Sequence, residues 1–410
     1  MAEAAVTDPK ANRAVFDKDL SAPDPIPEAG IESALHLMRD GRLFRYGEDR
    51  NSLPEAALLE EEFAAYMGSR YAVGVNSGGC AMFVALKAAG VAPGDKVLVN
   101  AFTLAPVPGA VAHAGAEAVL VDIDDRYVID VEDLDRKAAE SGARYLLLSY
   151  MRGHIPDMDA VMAVCERHGL VVIEDCAHTM GADWNGRLTG RFGKVGCFST
   201  QTFKHVNSGE GGLLITDDED IAARAILLSG SYMLYSQHRA RPSLEVFERH
   251  RYTVPNCSMR MSSLVAAVLR PQIGLIDERA LQWRLIYGTL APMLDALDHI
   301  EVPLRPEKEG FVPSSLQFSL QGLTEAQISQ FLGAADRHGV HVKWFGTKDA
   351  VGFTSRHDHW RYLDAGQAVP QADRILHGLC DMRLPLWLMQ DDCVTITAVL
   401  REAMAEATAG

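Results

Sequence analysis

The sequence predicts an α/β protein: a large, mostly parallel sheet covered on both faces, followed by a smaller C-terminal α+β domain. Three observations lead there. Short apolar, β-branched runs recur at 71–75, 96–99, 118–121, 145–149, 170–174, 195–199 and 213–216. Helical patterns separate several of them, notably 81–89, 157–168 and 218–228. The strand runs are apolar on both faces instead of alternating, which is the signature of a parallel sheet buried between helix layers.

Taken in order, residues 1–30 read as an N-terminal arm, polar or small and punctuated by Pro9, Pro23, Pro25 and Pro27. The large domain is expected over 31–265. It opens with helical apolar spacing at 31–39 and 54–67 before the strand–helix rhythm begins. The small domain is expected over 266–410. A long helical stretch, 262–297, leads into it, with interruptions expected at Pro271 and Pro292. A chain of 410 residues exceeds one ordinary core, so two domains are anticipated.

Composition narrows the function classes. Hydrophobic residues make up 48% and charged residues 23%, as in soluble globular proteins. The 39 basic and 55 acidic side chains leave a net charge of −16, which argues against nonspecific nucleic-acid binding. Anionic small ligands stay open, because a local site can oppose the global charge. The seven cysteines are scattered with no CxxC spacing, so buried free thiols in a reducing cytosol are expected in place of disulfides or zinc. No apolar signal core and no 18-residue apolar run are present, so the expected location is cytoplasmic and off the membrane.

The chemistry concentrates at three strand ends. Lys204, one of only ten lysines, lies between the strand ending Gly196-Cys197-Phe198-Ser199 and the glycine-rich turn Ser208-Gly209-Glu210-Gly211-Gly212. Asp175 closes the run Val171-Val172-Ile173-Glu174, with His178 just after it. Ser77-Gly78-Gly79-Cys80 joins the first strand to a helix. In open α/β sheets, ligands sit at the carboxyl ends of strands. An amine, a buried carboxylate and an anion cradle at that address are the parts of a pyridoxal-phosphate (PLP) site. Lys204 supplies the amine that would hold PLP covalently, and Asp175 the partner of the pyridine nitrogen. The backbone N–H groups of Gly78, Gly79 and Cys80 supply phosphate donors at a helix start, and Ser199 adds a hydroxyl.

From about residue 53 to 260 the chain resembles the DegT/StrS-type aminotransferases, fold-type-I PLP enzymes that aminate sugars and cyclitols. The segments PGDKVLVNAFT, AGAEAVLVDID, DMDAVMAVCERHGLVVIEDCAH and TDDEDIAARA match in order and spacing, as does GCFS with its lysine and SGEGG. The surroundings of Lys204, with Gln201 before it and Asn207 to Glu210 after it, look closest to the scyllo-inosose branch. The resemblance implies catalytic roles for Lys204, Asp175 and His178, the last near the ring hydroxyl of PLP. It also implies a homodimer with shared active sites, in which the stretch from Asn256 to Arg260 reaches across. Three positions depart from the family pattern. Leu104 stands where an aromatic residue usually stacks on the ring, with Phe102 nearby but out of register. Gly79 replaces a threonine. Ser258 replaces an asparagine, with Asn256 displaced by two.

The resemblance weakens over the last third. Arg356, Trp360 and Arg361, in the segment Lys343–Tyr362 rich in aromatics and cations, are candidates for a substrate wall, the alternative being a packed surface loop. Tyr46, in Arg45-Tyr46-Gly47-Glu48, lies where family members contribute a loop to the active-site mouth, the alternative being a simple turn. His357 and His359 lack a supporting ligand set, so no metal is expected. The expected activity is amino-group transfer from glutamate or glutamine to a keto-sugar, keto-cyclitol or similar ketone, with ping-pong kinetics. The partners are then a small-molecule donor and acceptor. Two alternatives are a PLP-dependent sugar dehydratase, in whose relatives histidine replaces the lysine, and a non-catalytic PLP-fold sensor.

Overall fold

The scaffold is a seven-stranded sheet: β1 (Tyr71–Val75), β2 (Lys96–Asn100), β3 (Glu117–Val121), β4 (Tyr145–Ser149), β5 (Val171–Asp175), β6 (Val195–Ser199) and β7 (Gly212–Thr216). The computed structural model describes residues 13–46, 53–350, 356–364 and 366–409. Across the sheet the order is β1-β7-β6-β5-β4-β2-β3. Only β7 runs against the others, pairing antiparallel with β1 and β6. The remaining pairings are parallel.

Strand periodicity explains why both faces are covered. Ala72, Leu98, Leu146, Leu148, Val172 and Phe198 face one apolar cluster, while Val73, Val99, Leu147, Ile173 and Cys197 face another. Successive side chains of a strand point to opposite faces, so each strand must be apolar throughout. The second cluster is roofed by the helices Gly78–Ala88, Pro106–His113 and Glu219–Ile226. The first is roofed by Glu55–Met67, Val131–Ser141, Met158–His168 and Ser263–Ile273. The helices at 106–113 and 131–141 were not singled out from the sequence.

Beyond it, β8 (Ile300–Glu301), β9 (Ser315–Leu320), β10 (Lys343–Trp344) and β11 (Leu379–Arg383) form an antiparallel sheet in the order β8-β9-β11-β10. Leu316, Phe318, Leu320, Cys380 and Met382 join the first cluster along with residues of the helices Ile276–Asp295, Glu325–Arg337 and Gln390–Thr408. Between them, Ser315, Gln317 and Ser319 of β9 and Asp381 and Arg383 of β11 are polar, and they matter for the site below.

Two expectations need amending. The helical stretch after residue 262 breaks at Gly274 and Leu275, and both Pro271 and Pro292 lie within helices. The break has a local cause: the buried Gln272 side chain accepts from the Asn207 N–H (2.9 Å) and donates to its carbonyl (2.7 Å), pinning the helix end to the loop after Lys204. Residues 13–20 are also not a detached arm. Phe16 donates its N–H to the His338 carbonyl (2.9 Å) and stacks on Trp387, and Lys18 pairs with Asp392 at 2.6 Å. All seven cysteines are unpaired, five of them buried. Among the described residues, no helix is long and apolar enough to cross a membrane.

Candidate active site

The carboxyl edge of the large sheet gathers the sequence-predicted residues. Asp175 ends β5 and is 6% exposed. Its neighbour Glu174 points to the opposite face and accepts the backbone N–H groups of Gly190, Phe192 and Gly193, so the two adjacent carboxylates have separate tasks. Asp175 is aimed by a short relay. Thr103 donates its hydroxyl to Ser149 Oγ (2.8 Å), Ser149 donates to Asp175 Oδ2 (2.8 Å), and the Ala177 N–H donates to Oδ1 (3.1 Å). Burial pushes the Asp175 carboxyl upward, while those donors and the Lys204 charge pull against it. A buried carboxylate of this kind gains most from a cationic partner.

Lys204 follows β6, held by its N–H to the Gln201 carbonyl (2.9 Å). Its Nζ lies 2.9 Å from His178 Nε2. Burial, joined by the positive charge of Arg152, brings the amine down to about 7 despite the opposing pull of Asp175. Burial and the charge on Lys204 hold His178 well below its ordinary value, so the imidazole is neutral. A lysine near 7 supplies both a neutral nucleophile and a proton acceptor in the physiological range.

The anion cradle is a close fit of backbones. The helix Gly78–Ala88 begins three residues before the predicted start, which places both glycines in its first turn, where amides have no intrahelical acceptor. A Cβ on Gly78 would come within 2.7 Å of Ser199 Cβ, and one on Gly212 would collide with the Ser77 carbonyl. Only glycine lets β6, β7 and the helix start converge. Position 79 has open space instead, the nearest atom to a Cβ there being 3.8 Å away. The Cys80 N–H goes to the Ser77 cap (3.1 Å), so its role is to fix the turn, and Gly78 and Gly79 are left as the amide donors.

Substituting alanine at Gly78 tests this convergence. The variant is expected to keep its thermal midpoint within a few degrees and to bind PLP about tenfold more weakly, because Ser199 must move. Absorbance titration of the apoprotein with PLP reads the affinity. Unchanged affinity would remove Gly78 and Ser199 from the cradle.

A cavity of about 570 Å³ opens over Lys204, His178 and Leu104. Its far wall is the polar face of the second sheet. Lys343 on β10 sits directly across from Asp381 on β11, and Ser315 on β9 across from Arg383. Arg152 follows β4 with a left-handed backbone (φ 56°) and pairs with Asp381 at 3.2 Å. Lys18 and Ser21 of the N-terminal segment complete the rim. Gly79 and Cys80 line another hollow of about 660 Å³, which Ala105 and Pro106 also line, while Leu104 lines the first.

The model of the DegT/DnrJ/EryC1/StrS aminotransferase family matches residues 42–400. The chain belongs to that family. It is an aminotransferase of the PLP-dependent class. Among similar proteins, the 3-amino-5-hydroxybenzoate synthase of Amycolatopsis mediterranei is 30% identical over 303 residues, covering 73% of this chain and 74% of that one. The "pleiotropic regulatory protein" of Geobacillus stearothermophilus is 31% identical over 278 residues, with coverages of 67% and 70%. The L-glutamine:scyllo-inosose aminotransferase of Streptomyces griseus is 36% identical over 217 residues, where the match spans 52% of this chain and 50% of that enzyme. The fold matches a crystal structure of 3-amino-5-hydroxybenzoic acid synthase with a TM-score of 0.79 at 23% identity, covering 94% and 98% of the two chains. It also matches a GDP-4-keto-6-deoxymannose-3-dehydratase with a TM-score of 0.79 at 19% identity, covering 94% and 100%.

The residues present fit the family's cofactor. The buried Asp175 carboxylate suits a pyridinium, the glycine-lined helix start suits a phosphate, and Lys204 Nζ stands beside His178. Leu104 lines the cavity at the position of the family's aromatic residue, while Phe102 is fully buried edge-on to Phe345.

Other sequence candidates lie elsewhere. Tyr46 is buried against Ser231 and His238 (3.1 Å to Nδ1), next to the Arg45–Glu60 ion pair at 2.7 Å; Gly47 and Glu48 lie outside the described residues. This network anchors β1 through the Gly74 N–H, so Tyr46 belongs to the core and not to the cavity mouth. Arg356 is held in a two-point pair by Asp358 (2.8 and 3.0 Å). Trp360 is 2% exposed in a cluster with Phe102 and Phe345, and Arg361 is exposed. None of these four lines the cavity described above. Asn256 and Ser258 are exposed on this chain, Asn256 donating to the Leu227 carbonyl (3.0 Å). The residues that do form the wall were missed, apart from Lys343 at the head of the suspected segment. The signal was present: Ser315-Leu316-Gln317-Phe318 and Cys380-Asp381-Met382-Arg383 alternate with period two, the mark of a sheet with one polar face.

Proposed function

We propose that the chain transfers an amino group from glutamate or glutamine to a keto-sugar, keto-cyclitol or related cyclic ketone, with PLP carried covalently by Lys204. The observation that carries this reading is the gathering at one sheet edge of Lys204, its Nζ 2.9 Å from His178, and the buried carboxylate Asp175. PLP supplies an electron sink that stabilises negative charge at the carbon being deprotonated. Lys204 Nζ takes the proton from the donor and returns it, with neutral His178 beside it as a hydrogen-bonding partner. Asp175, fixed by Ser149 and Ala177, keeps a positive charge favourable at the pyridine nitrogen. The backbone donors of Gly78 and Gly79 hold the phosphate end. The relatives named for inosose amination support a cyclitol-type acceptor. Presence of a lysine at 204 supports transamination over dehydration, although the fold is shared with a dehydratase.

Ping-pong kinetics follow, because donor and acceptor use the same reacting centre in turn. We further propose a homodimer in which Asn256 and Ser258 serve the neighbouring active site. The test of the activity is spectral. Adding glutamate or glutamine to the purified holoenzyme should convert its absorbance to that of the pyridoxamine form without any ketone, and a cyclic ketone should reverse it. An absorbance unmoved by either donor would overturn the reading.

A further inference from the structure

Part of the cavity wall over Lys204 comes from outside the residues matched to the family. Lys18, Asp19, Leu20 and Ser21 line the cavity, and all four lie upstream of the matched stretch 42–400. The segment that carries them is fixed at both ends. On its amino side the Ala14 N–H donates to the Glu402 carboxylate (3.2 Å), and the Phe16 ring, 4% exposed, stacks on Trp387 with centroids 6.4 Å apart. Gly339 forms the seat. Its backbone is left-handed (φ 87°), and a Cβ there would collide with the Phe16 carbonyl. On its carboxyl side Pro23, Pro25 and Pro27 stiffen the link to the helix Glu28–Asp40, whose Gly30 packs closely against Val268 and Pro271. So held, residues 18–21 are a wall and not a trailing arm.

Between the anchors the chain turns toward the cavity. Asp19 Oδ1 accepts from the Ser21 N–H (2.8 Å) and from its hydroxyl (2.6 Å), a local turn that brings Leu20 inward, where it is 5% exposed. The Ser21 carbonyl accepts from Arg383 Nη1 (3.4 Å), and the Arg383 guanidinium lies over the Phe203 ring, 4.1 Å from its centroid. The loop after β6, strand β11 and the N-terminal segment thus meet at one point. A substituent leaving the cavity on this side would have to part them. The space behind is modest: a cavity of about 570 Å³ takes one drug-sized ligand, and the ring of PLP would share it with the acceptor.

We propose that residues 18–21 limit the size of the acceptor, which is a free cyclic ketone and not one joined to a nucleotide or a second sugar. This rests on the aminotransferase reading above and specifies the substrate class within it. The physical basis is exclusion. A fixed wall rejects the larger substrate by steric clash without weakening the smaller one. Leu20 is then a specificity-determining residue that takes no part in the chemistry.

The experiment uses the full-length holoenzyme in its pyridoxamine form and two neutral ketones, so that size alone is read. One is scyllo-inosose; the other is the same ketone glycosylated on the hydroxyl across the ring from its carbonyl. The parent should favour scyllo-inosose by at least about tenfold in kcat/KM. Phe16→Ala loses the stack on Trp387 and should unseat the segment, which faster trypsin cleavage after Lys18 reports independently of activity. Its preference should narrow to below about threefold by a gain on the glycosylated ketone, whereas general damage lowers both rates. Leu20→Ala leaves the anchors in place, widens the cavity directly and should act in the same direction. Narrowing by such a gain in either variant upholds the wall. Equal handling of the two ketones by the parent overturns it, as does a preference that persists in both variants. If neither ketone is aminated, their dissociation constants from the cofactor absorbance decide. Tighter binding of scyllo-inosose, with the difference lost in Phe16→Ala or Leu20→Ala, upholds the size limit and removes the keto-cyclitol reading. Equal binding overturns the wall, and binding of neither overturns the substrate class with it.

Discussion

Lys204→Ala should abolish turnover, with a loss of about 10⁴-fold or more, while PLP still binds noncovalently. Two proposed functions would vanish together: the amine that carries the cofactor and the base that moves the substrate proton. His178 cannot substitute, because burial and the nearby cations hold it neutral and weakly basic. Borohydride reduction followed by peptide mass analysis should place PLP on the peptide containing Lys204 in the parent, and attachment to another lysine would refute the assignment. The amine also predicts a pH profile. Only its neutral form attacks the aldehyde of PLP, and that form predominates above about 7. Cofactor capture by the apoprotein should therefore quicken as pH rises through that value and then level off. Removing the positive charge in Arg152→Gln favours the protonated amine, so the midpoint should move upward. A midpoint near the ordinary lysine value in the parent would show that the amine is not buried as described.

Asp175→Asn is expected to leave the fold intact and cut the donor half-reaction by at least about two orders of magnitude, on the order of 3 kcal/mol for one preorganised charge. The amide keeps one oxygen to accept from the Ala177 N–H, and its NH2 can donate to the Ser149 hydroxyl oxygen in place of accepting from it, so folding should not suffer. What disappears is the negative charge proposed to face the pyridine nitrogen. The loss should fall on kcat in preference to KM, since the charge is needed where electrons flow into the ring and not where the substrate docks. A variant with near-parental half-reaction rates would remove Asp175 from the chemistry. A variant that fails to melt cooperatively would instead show that burial of the carboxylate serves the sheet.

The sequence made the large sheet readable for a physical reason. Strands buried on both faces must be uniformly apolar, and that leaves an unmistakable run of Val, Ile and Leu. Lys204, Asp175 and Gly78 were readable because a strand end, a carboxylate and a pair of glycines each break such a run at one edge. The far wall of the cavity was harder. Its residues come from three short strands far apart in the chain, and no local pattern states that Ser315, Lys343 and Arg383 share a surface. Arg356 and Arg361 looked better because they cluster in sequence, yet clustering allowed Asp358 to take the first. Trp360 was misplaced for a related reason: a large aromatic in a polar stretch is as able to anchor a loop in the core as to wall a cavity. Tyr46 was read as a loop residue because its hydrogen bonds to Ser231 and His238, and the ion pair of its neighbour Arg45 with Glu60, leave no trace in local spacing.

The seating of residues 13–21 bears on when the site can come into being. Phe16 takes its backbone partner from residue 338, and Lys18 takes its counter-ion from residue 392. Lys18 and Ser21 then form part of the cavity rim. During synthesis the chain emerges from its amino end, so this segment must wait, unseated, while more than three hundred further residues are made. The large sheet can assemble meanwhile, with Lys204 and Asp175 already in place. The last closure joins early and late parts of the polypeptide, the most distant and therefore slowest kind of contact to form. Nascent protein should thus assemble the sheet edge that carries Lys204 and Asp175 before it acquires a finished cavity rim.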